Sequence, residues 1–359
     1  MADVRELLTG VQKMFMPFTA WIGEVRHTST LRADIIAGIT VALVLVPQSM
    51  AYAQLAGLPP YIGLYASFIP VMIAAFMGSS RQLATGPVAV VSLLTAASLA
   101  PLAGGNAELY LALAAMLAIM VGVFQILLGV FRLGVLVDFL SHPVVVGFTN
   151  GAAIIIATSQ LSKIFGVSVE KAAHHYETVW RVVVAAGQDT HMLTLLMGIF
   201  ALAIMILMKK FTPKIPNVLT AVVVTTLISW WFDFQAAGGK VVGEVPQGLP
   251  GITLPDFDMP LVLKLATAAV TIALIGFMEA IAIAKAMAAQ TRQRLDTNQE
   301  LFGQGLSNVT SGLFGAYPVS GSFSRSAVNI AAGAQTGVSS VVTGGVVAIT
   351  LFFLTPLLY

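Results

Sequence analysis

The chain has 359 residues, 57% of them hydrophobic and only 9% charged, with a mean hydropathy of +0.90. A water-soluble domain carries roughly a quarter charged residues, so this composition excludes a soluble globule, a disordered chain and a repeat solenoid. A net charge of +2 is too small to point to nucleic acid, and the absence of cysteine removes disulfides, thiolate metal sites and cysteine nucleophiles. What remains is an all-α polytopic membrane protein embedded in a lipid bilayer.

In chain order, residues 1–30 mix Arg5, Lys13 and Glu24 with Leu, Met, Phe and Trp21. They predict an amphipathic segment at the cytoplasmic interface rather than a cleavable signal. A span needs about 20 apolar residues. Residues 35–80 hold no Asp, Glu, Lys or Arg, and Gly57-Leu58-Pro59-Pro60 splits them into two helices. Further charge-free runs cover 82–107, 109–131, 139–162, 192–208, 215–232, 301–324 and 326–359, and residues 265–284 hold one charge, Glu279. Together they predict about eleven membrane segments, too uniformly apolar for the alternating strands of an outer-membrane barrel. Residues 163–191 are polar and predict an outer loop with a short helix. Residues 233–259 are rich in Gly and Pro and predict an outer hinge between two halves.

Loop charges set the orientation. With the N-terminus in the cytoplasm, the inner side receives Arg5, Lys13, Arg26, Arg32, Arg81, Arg132, Lys209, Lys210, Lys214, Lys285, Arg292 and Arg294. The outer side receives Lys163, Lys171, Arg181 and Lys240. The reverse threading would break the bias. Lys264, near a span end, can snorkel; Arg325 falls between two apolar runs with no loop to claim it.

Two places break the helical pattern at membrane depth: Ala84-Thr85-Gly86-Pro87-Val88-Ala89-Val90 and Pro318-Val319-Ser320-Gly321-Ser322-Phe323-Ser324-Arg325. In each, a short extended stretch meets a helix start. Pro87 suits a first helical position, and Ser320 or Ser322 can cap the second helix. Irregular backbone survives in a bilayer only where protein buries it or it lines a cavity, and paired interruptions in two halves point to a transporter site. The threading gives a first repeat of seven spans over 31–235, a linker at 236–259, and an inverted second repeat from 260. A second half of equal length would run to about residue 460, so 260–359 is expected to hold four of its seven spans, with more chain beyond.

At these same residues the sequence resembles the sulfate permease (SulP) family. The resemblance is carried by Leu45-Val46-Pro47-Gln48-Ser49-Met50-Ala51-Tyr52-Ala53 and by Gly57-Leu58-Pro59-Pro60-Tyr61-Ile62-Gly63-Leu64-Tyr65. It continues through Gly78-Ser79-Ser80-Arg81, Thr85-Gly86-Pro87-Val88-Ala89-Val90-Val91-Ser92 and Gly321-Ser322-Phe323-Ser324-Arg325-Ser326-Ala327-Val328-Asn329. It runs from about residue 30 to the end and is nearer to sulfate than to bicarbonate members. It implies a seven-plus-seven inverted repeat of fourteen spans with core and gate subdomains, of which about eleven are present. It further implies substrate held between the third and tenth spans, a cytoplasmic STAS domain past the last span, and a homodimer.

On that fold the two half-helices aim their N-termini at one point, each offering free N–H groups and about half a positive charge. The N–H groups of Val88, Ala89, Phe323 and Ser324 are the expected anion ligands, with Thr85, Gly86, Pro87, Ser320, Gly321 and Ser322 shaping the helix starts. Arg325 brings the positive charge to about +2, which matches a dianion such as sulfate. Gln48 and Tyr52, four apart on one helix face, can donate side-chain hydrogen bonds. Glu279 is expected to carry a proton: ionised beside Arg325 it would cancel the charge the anion needs, and protonation would free the site. Protons are thus preferred to sodium as the coupling ion, with no cofactor and no metal. The bland alternatives stay open: Arg325 as a structural partner of Glu279, Gln48 as an interhelical hydrogen bond, Tyr52 as packing.

Other signals carry less. Gly147-Phe148-Thr149-Asn150-Gly151 reads as helix packing. The glycosylation pattern Asn308-Val309-Thr310 falls inside a predicted span. His174, His175 and His191 read as solvated loop residues rather than metal ligands. No GxxxxGK[ST] loop marks ATP as the energy source. The leading reading is sulfate:proton symport by alternating access, against sodium-driven bicarbonate uptake, anion exchange or conduction. An intramembrane enzyme is disfavoured because His142 has no nucleophile partner.

Overall fold

A computed structural model describes residues 16–135, 142–170, 172, 174–212, 217–243 and 245–355. The first half of the expected amphipathic segment, with Arg5 and Lys13, lies outside the described residues, as do Lys171 and Lys214. The chain forms two compact units, Met1–Val145 with Val245–Leu358, and Val146–Glu244. The first unit therefore draws on both expected repeats.

The described start of the first unit is not a continuous helix. It makes two 3₁₀ turns, Pro17–Ala20 and Ile22–Arg26, because Pro17 and Gly23 interrupt a regular helix and Trp21 is drawn inward. Trp21 is buried and stacks on Phe76 with ring centroids 6.2 Å apart. Helix α1 (Thr28–Leu55) follows. One of its faces is apolar and exposed at Ile35, Ile36, Ile39 and Leu43; the opposite face buries Asp34, Ala37, Gly38, Val41, Ala42 and Leu45. The turn at Gly57 leads to α2 (Pro60–Tyr65) and α3 (Ile69–Met77), two helices where the sequence predicts one. Pro70, in the first turn of α3, lacks the N–H that a continuous helix would need there.

Then come strand β1 (Ala84–Gly86), α4 (Ala89–Ala103) and α5 (Ala107–Val130). The unit resumes with α11 (Met259–Thr291), α12 (Thr297–Leu313), strand β2 (Ser320–Ser322), α13 (Phe323–Ala331) and α14 (Val338–Ile349), the labels α6–α10 belonging to the other unit. Two of these helices meet almost backbone to backbone: a Cβ on Gly122 of α5 would stand 2.5 Å from the carbonyl oxygen of Gly305 on α12. Only glycine permits that approach, the usual device where helices have no hydrophobic drive to associate in lipid. The apolar core lies between α1, α4, α5 and α11, around Leu99, Leu117, Ile272 and Tyr317.

The second unit takes in α6 (His142–Ser159) from Val146 onward, α7 (Leu161–Phe165), α8 (His175–Asp189), α9 (Met192–Phe211) and α10 (Asn217–Trp231). The short helix expected within 163–191 is α8. No residue of α9 is buried and Ala221 alone is buried in α10, while Leu196, Ile206 and Trp230 are exposed. A Cβ on Gly147 or Gly151 meets nothing within 4 Å among the described residues. His175 bonds Thr158, and His191 bonds Thr194 and the Ala237 carbonyl; no metal-ligand cluster occurs among the described residues.

Five stretches are long and apolar enough to cross a bilayer: Thr28–Leu55, Pro60–Met77, Ala107–Val130, Met192–Phe211 and Met259–Thr291. Four shorter apolar helices accompany them. The two remaining expected segments are α12 and α13, which carry the buried polar residues described next.

Candidate functional site: two opposed half-helix starts

The two interrupted segments meet. β1 and β2 pair antiparallel, Ala84 with Ser322, Thr85 with Gly321 and Gly86 with Ser320. All six residues are buried, so their backbone polar groups are satisfied within the protein, by the partner strand and by side chains such as Ser326, rather than left to lipid. Antiparallel pairing has a directional consequence. α4 leaves from the end of the ribbon at Gly86, and α13 leaves from the opposite end at Ser322. A three-residue strand spans about 7 Å, so the two N-termini face the same short ribbon from its two ends. Each helix is too short for the roughly 30 Å hydrocarbon layer: about 22 Å for α4 and 14 Å for α13. Extended segments were legible in the sequence; their pairing into one ribbon was not.

The starts differ from expectation in detail. Pro87 is not the first residue of α4 but precedes the N-cap, Val88, whose carbonyl accepts the first helical bond from Ser92 N–H at 3.0 Å. The donors without an intrahelical partner are therefore those of Val88, Ala89, Val90 and Val91, which include the expected Val88 and Ala89. No side chain caps this start. α13 is capped by Ser322, whose Oγ accepts from Arg325 N–H at 3.5 Å. Ser320 instead donates to the Gly276 carbonyl on α11, at 2.6 Å. Phe323 is 60% exposed, and Ser324 is exposed too, its hydroxyl 3.4 Å from that of the capping Ser322.

Arg325 is fully buried. Its Nη1 donates to Gln48 Oε1 at 3.3 Å, while Nε and Nη2 have no partner. A Cβ built on Gly86 would lie 3.2 Å from Nη2, so the guanidinium reaches back along the ribbon from the α13 end to the α4 end. Gly86 also has φ +146°, a backbone region that side chains rarely adopt. Gln48, Gly86 and Arg325 are thus brought together. Tyr52 is half-buried one turn beyond Gln48.

Glu279, on α11, has one carboxylate oxygen, Oε2, buried without a partner. An ion pair joins Arg81 and Glu24 at 2.9 Å, but none joins Arg325 and Glu279. Arg325 therefore faces no carboxylate within bonding distance, and the alternative of a closed structural pair with Glu279 is not what the side chains adopt.

Further buried polar groups leave no mark in the sequence. Tyr317, fully buried, bonds Ser92 of α4 through its hydroxyl at 3.1 Å. Ala84 N–H donates to Ser326 Oγ at 2.9 Å, tying β1 to α13. Asp34, completely buried, accepts from Gln335 N–H at 2.7 Å and Thr336 N–H at 3.1 Å, and from the Thr336 hydroxyl at 2.6 Å. Glu300 is likewise buried. Both acids stand at the edges of charge-free runs, where composition makes them look like loop residues. Asn308, the discarded glycosylation match, is buried within α12.

Comparison with known proteins agrees with this architecture. A model of the sulfate permease family matches residues 31–359. A chloroplastic sulfate transporter of Arabidopsis thaliana is 42% identical over 351 residues, covering 95% of this chain and 50% of that protein. A probable sulfate transporter of Mycobacterium tuberculosis is 39% identical, covering 91% and 58%. The chain thus spans about half the length of the curated relatives it matches. Among solved structures, the murine Slc26a9 anion transporter in its inward-facing state superposes with TM-score 0.89 at 25% identity over 96% of this chain and 60% of that one. The transmembrane domain of the cyanobacterial bicarbonate transporter BicA does so with TM-score 0.83 at 27% identity, over 92% and 85%. The fold is the inverted-repeat transporter fold of those structures, the protein is an integral, multi-pass membrane protein, and the chain belongs to the sulfate permease family.

Proposed function

We propose that this protein is a secondary active transporter that takes up sulfate together with protons by alternating access, with its N-terminus in the cytoplasm. The observation that carries this reading is Arg325, a fully buried guanidinium with Nε and Nη2 unpartnered beside two converging half-helix starts. Burying a charge costs several kcal/mol unless something pairs with it, and ionisable groups at membrane depth are kept for function. Two half charges and one full charge present about +2 to the ligand. The free N–H groups of Val88–Val91 and of Phe323 and Ser324 supply directional donors suited to an oxyanion, and Gln48 orients the guanidinium from behind. The relatives named as sulfate transporters support the choice of anion.

Glu279 is the proton carrier of this scheme. Its Oε2 is buried and unbonded, so an unpartnered carboxylate there is costly. A proton relieves that cost and leaves the positive charge of the site undivided for the anion. Sodium would instead need a shell of several oxygen ligands around one carboxylate, and no group of three or more His, Cys, Asp or Glu side chains that could hold a metal ion occurs among the described residues.

The test is uptake of labelled sulfate into proteoliposomes holding the full-length protein. An inward proton gradient should drive accumulation, a sodium gradient should not, and bicarbonate and chloride should compete weakly. Glu279→Gln should abolish accumulation driven by the proton gradient while sparing sulfate exchange. Accumulation that persists with an unchanged pH dependence in Glu279→Gln would refute the proton role, and accumulation driven by sodium would refute the coupling.

A further inference from the structure

Helix α12 carries Glu300, Gln304 and Asn308 at four-residue steps, which puts them on one face. All three are buried. Each bonds one of the two extended segments or the chain leading into it. Glu300 Oε2 accepts from Ser79 N–H and Ser80 N–H, both at 2.9 Å, and from the Ser79 hydroxyl at 3.3 Å, holding the turn ahead of β1. Gln304 Nε2 donates to Thr85 Oγ1, at the middle of β1, at 2.8 Å, and to Glu300 Oε1 at 3.2 Å. Asn308 closes a two-bond ring on Val319, the residue before β2: Val319 N–H donates to Oδ1 at 2.8 Å and Nδ2 donates to the Val319 carbonyl at 3.1 Å. Gln125 of α5 accepts a further bond from Asn308 Nδ2 at 3.0 Å and fixes its amide.

One helix face therefore grips β1 and the residue leading into β2. None of its hydrogen bonds reaches Arg325 or Gln48. Gln304 Oε1 is buried without a protein partner, so the hold on Thr85 is made by Nε2 alone.

Resting on the anion-site reading above, we propose that Glu300, Gln304 and Asn308 are positioning residues, a spine that sets the separation of the two half-helix starts and hence the affinity for an oxyanion. Backbone donors act over a narrow range of distance, so a ribbon that shifts by a fraction of an ångström weakens every donor at once.

The test measures KM and Vmax for labelled sulfate, and thermal unfolding, in the full-length protein. Gln304→Met keeps the side-chain length and deletes the bonds to Thr85 and Glu300. KM should rise about five-fold, the scale of one misaligned hydrogen bond. Ser307→Ala is the control. It removes a buried bond from the same helix to the Pro70 carbonyl, which belongs to neither strand. It should lower the melting temperature as much as Gln304→Met does and leave KM within about two-fold. Thr85→Val deletes the same bond from the strand side, and so carries the test if Gln304→Met fails to fold. The double variant should raise KM no further than the larger single one. Wild-type KM in Gln304→Met, or in Thr85→Val where Gln304→Met fails to fold, would overturn the spine whatever the thermal stability. Arg325→Gln, run in parallel, separates the two claims: its retaining wild-type KM would sink the anion site itself, whereas its losing uptake while Gln304→Met keeps wild-type KM sinks the spine alone.

Discussion

The start of α4 and the start of α13 sit at opposite ends of one short ribbon and are built differently. α4 begins bare: Val88 has no side-chain oxygen to offer, and no other side chain caps the helix. α13 begins furnished, with Ser322 as cap and Arg325 in the first turn. A buried helix end without a cap is a liability unless a ligand meets it. The bare start thus reads as the directional half of the site, a set of N–H groups awaiting an acceptor, and the furnished start as its source of charge. On the proposed function, neither half alone would suffice for a dianion.

That contrast can be broken first at its charged end. Arg325→Gln keeps a donor of some length but removes the charge, and sulfate uptake should fall by about 100-fold, the scale of losing a buried charged partner. Arg325→Lys should recover only part of it, because a point charge cannot reproduce the planar fork. Next is the hinge of the comparison, Gly86. Gly86→Ala imposes a Cβ at φ +146° and 3.2 Å from Arg325 Nη2. It should cost about 1–3 kcal/mol of stability, read as a lowered melting temperature, together with an increased KM as the guanidinium is displaced. The smallest effect belongs to the cap. Ser322→Ala should cost about 1 kcal/mol with a modest loss of affinity, whereas Val88→Ser, adding a cap to the bare start, should compete with the anion for the same N–H groups and raise KM.

How far the sequence carried depended on whether chemistry or geometry was at stake. Charge-free runs placed the spans, since lipid leaves few options for charge. The helix breaks at 84–90 and 318–325 and the stranded Arg325 marked the site, because each violates the rule of an unbroken apolar helix. The register that pairs Gly86 with Ser320 left no such mark: three-residue strands rich in Gly and Ser have no alternation to read. Asp34 and Glu300 were hidden for the opposite reason, as acids at the ends of apolar runs look solvated until the loops that bond them are seen. The two-helix form of 60–77 depended on Pro70, which tertiary packing turned into a break.

The most direct test of the central claim is a structure of the full-length protein with selenate, a strongly scattering analogue of sulfate. The account predicts one tetrahedral anion with oxygens within about 3 Å of the Arg325 guanidinium and of the free N–H groups at the starts of α4 and α13. An anion bound elsewhere in the membrane region, with Arg325 turned to Glu279 and the α4 start empty, would contradict it.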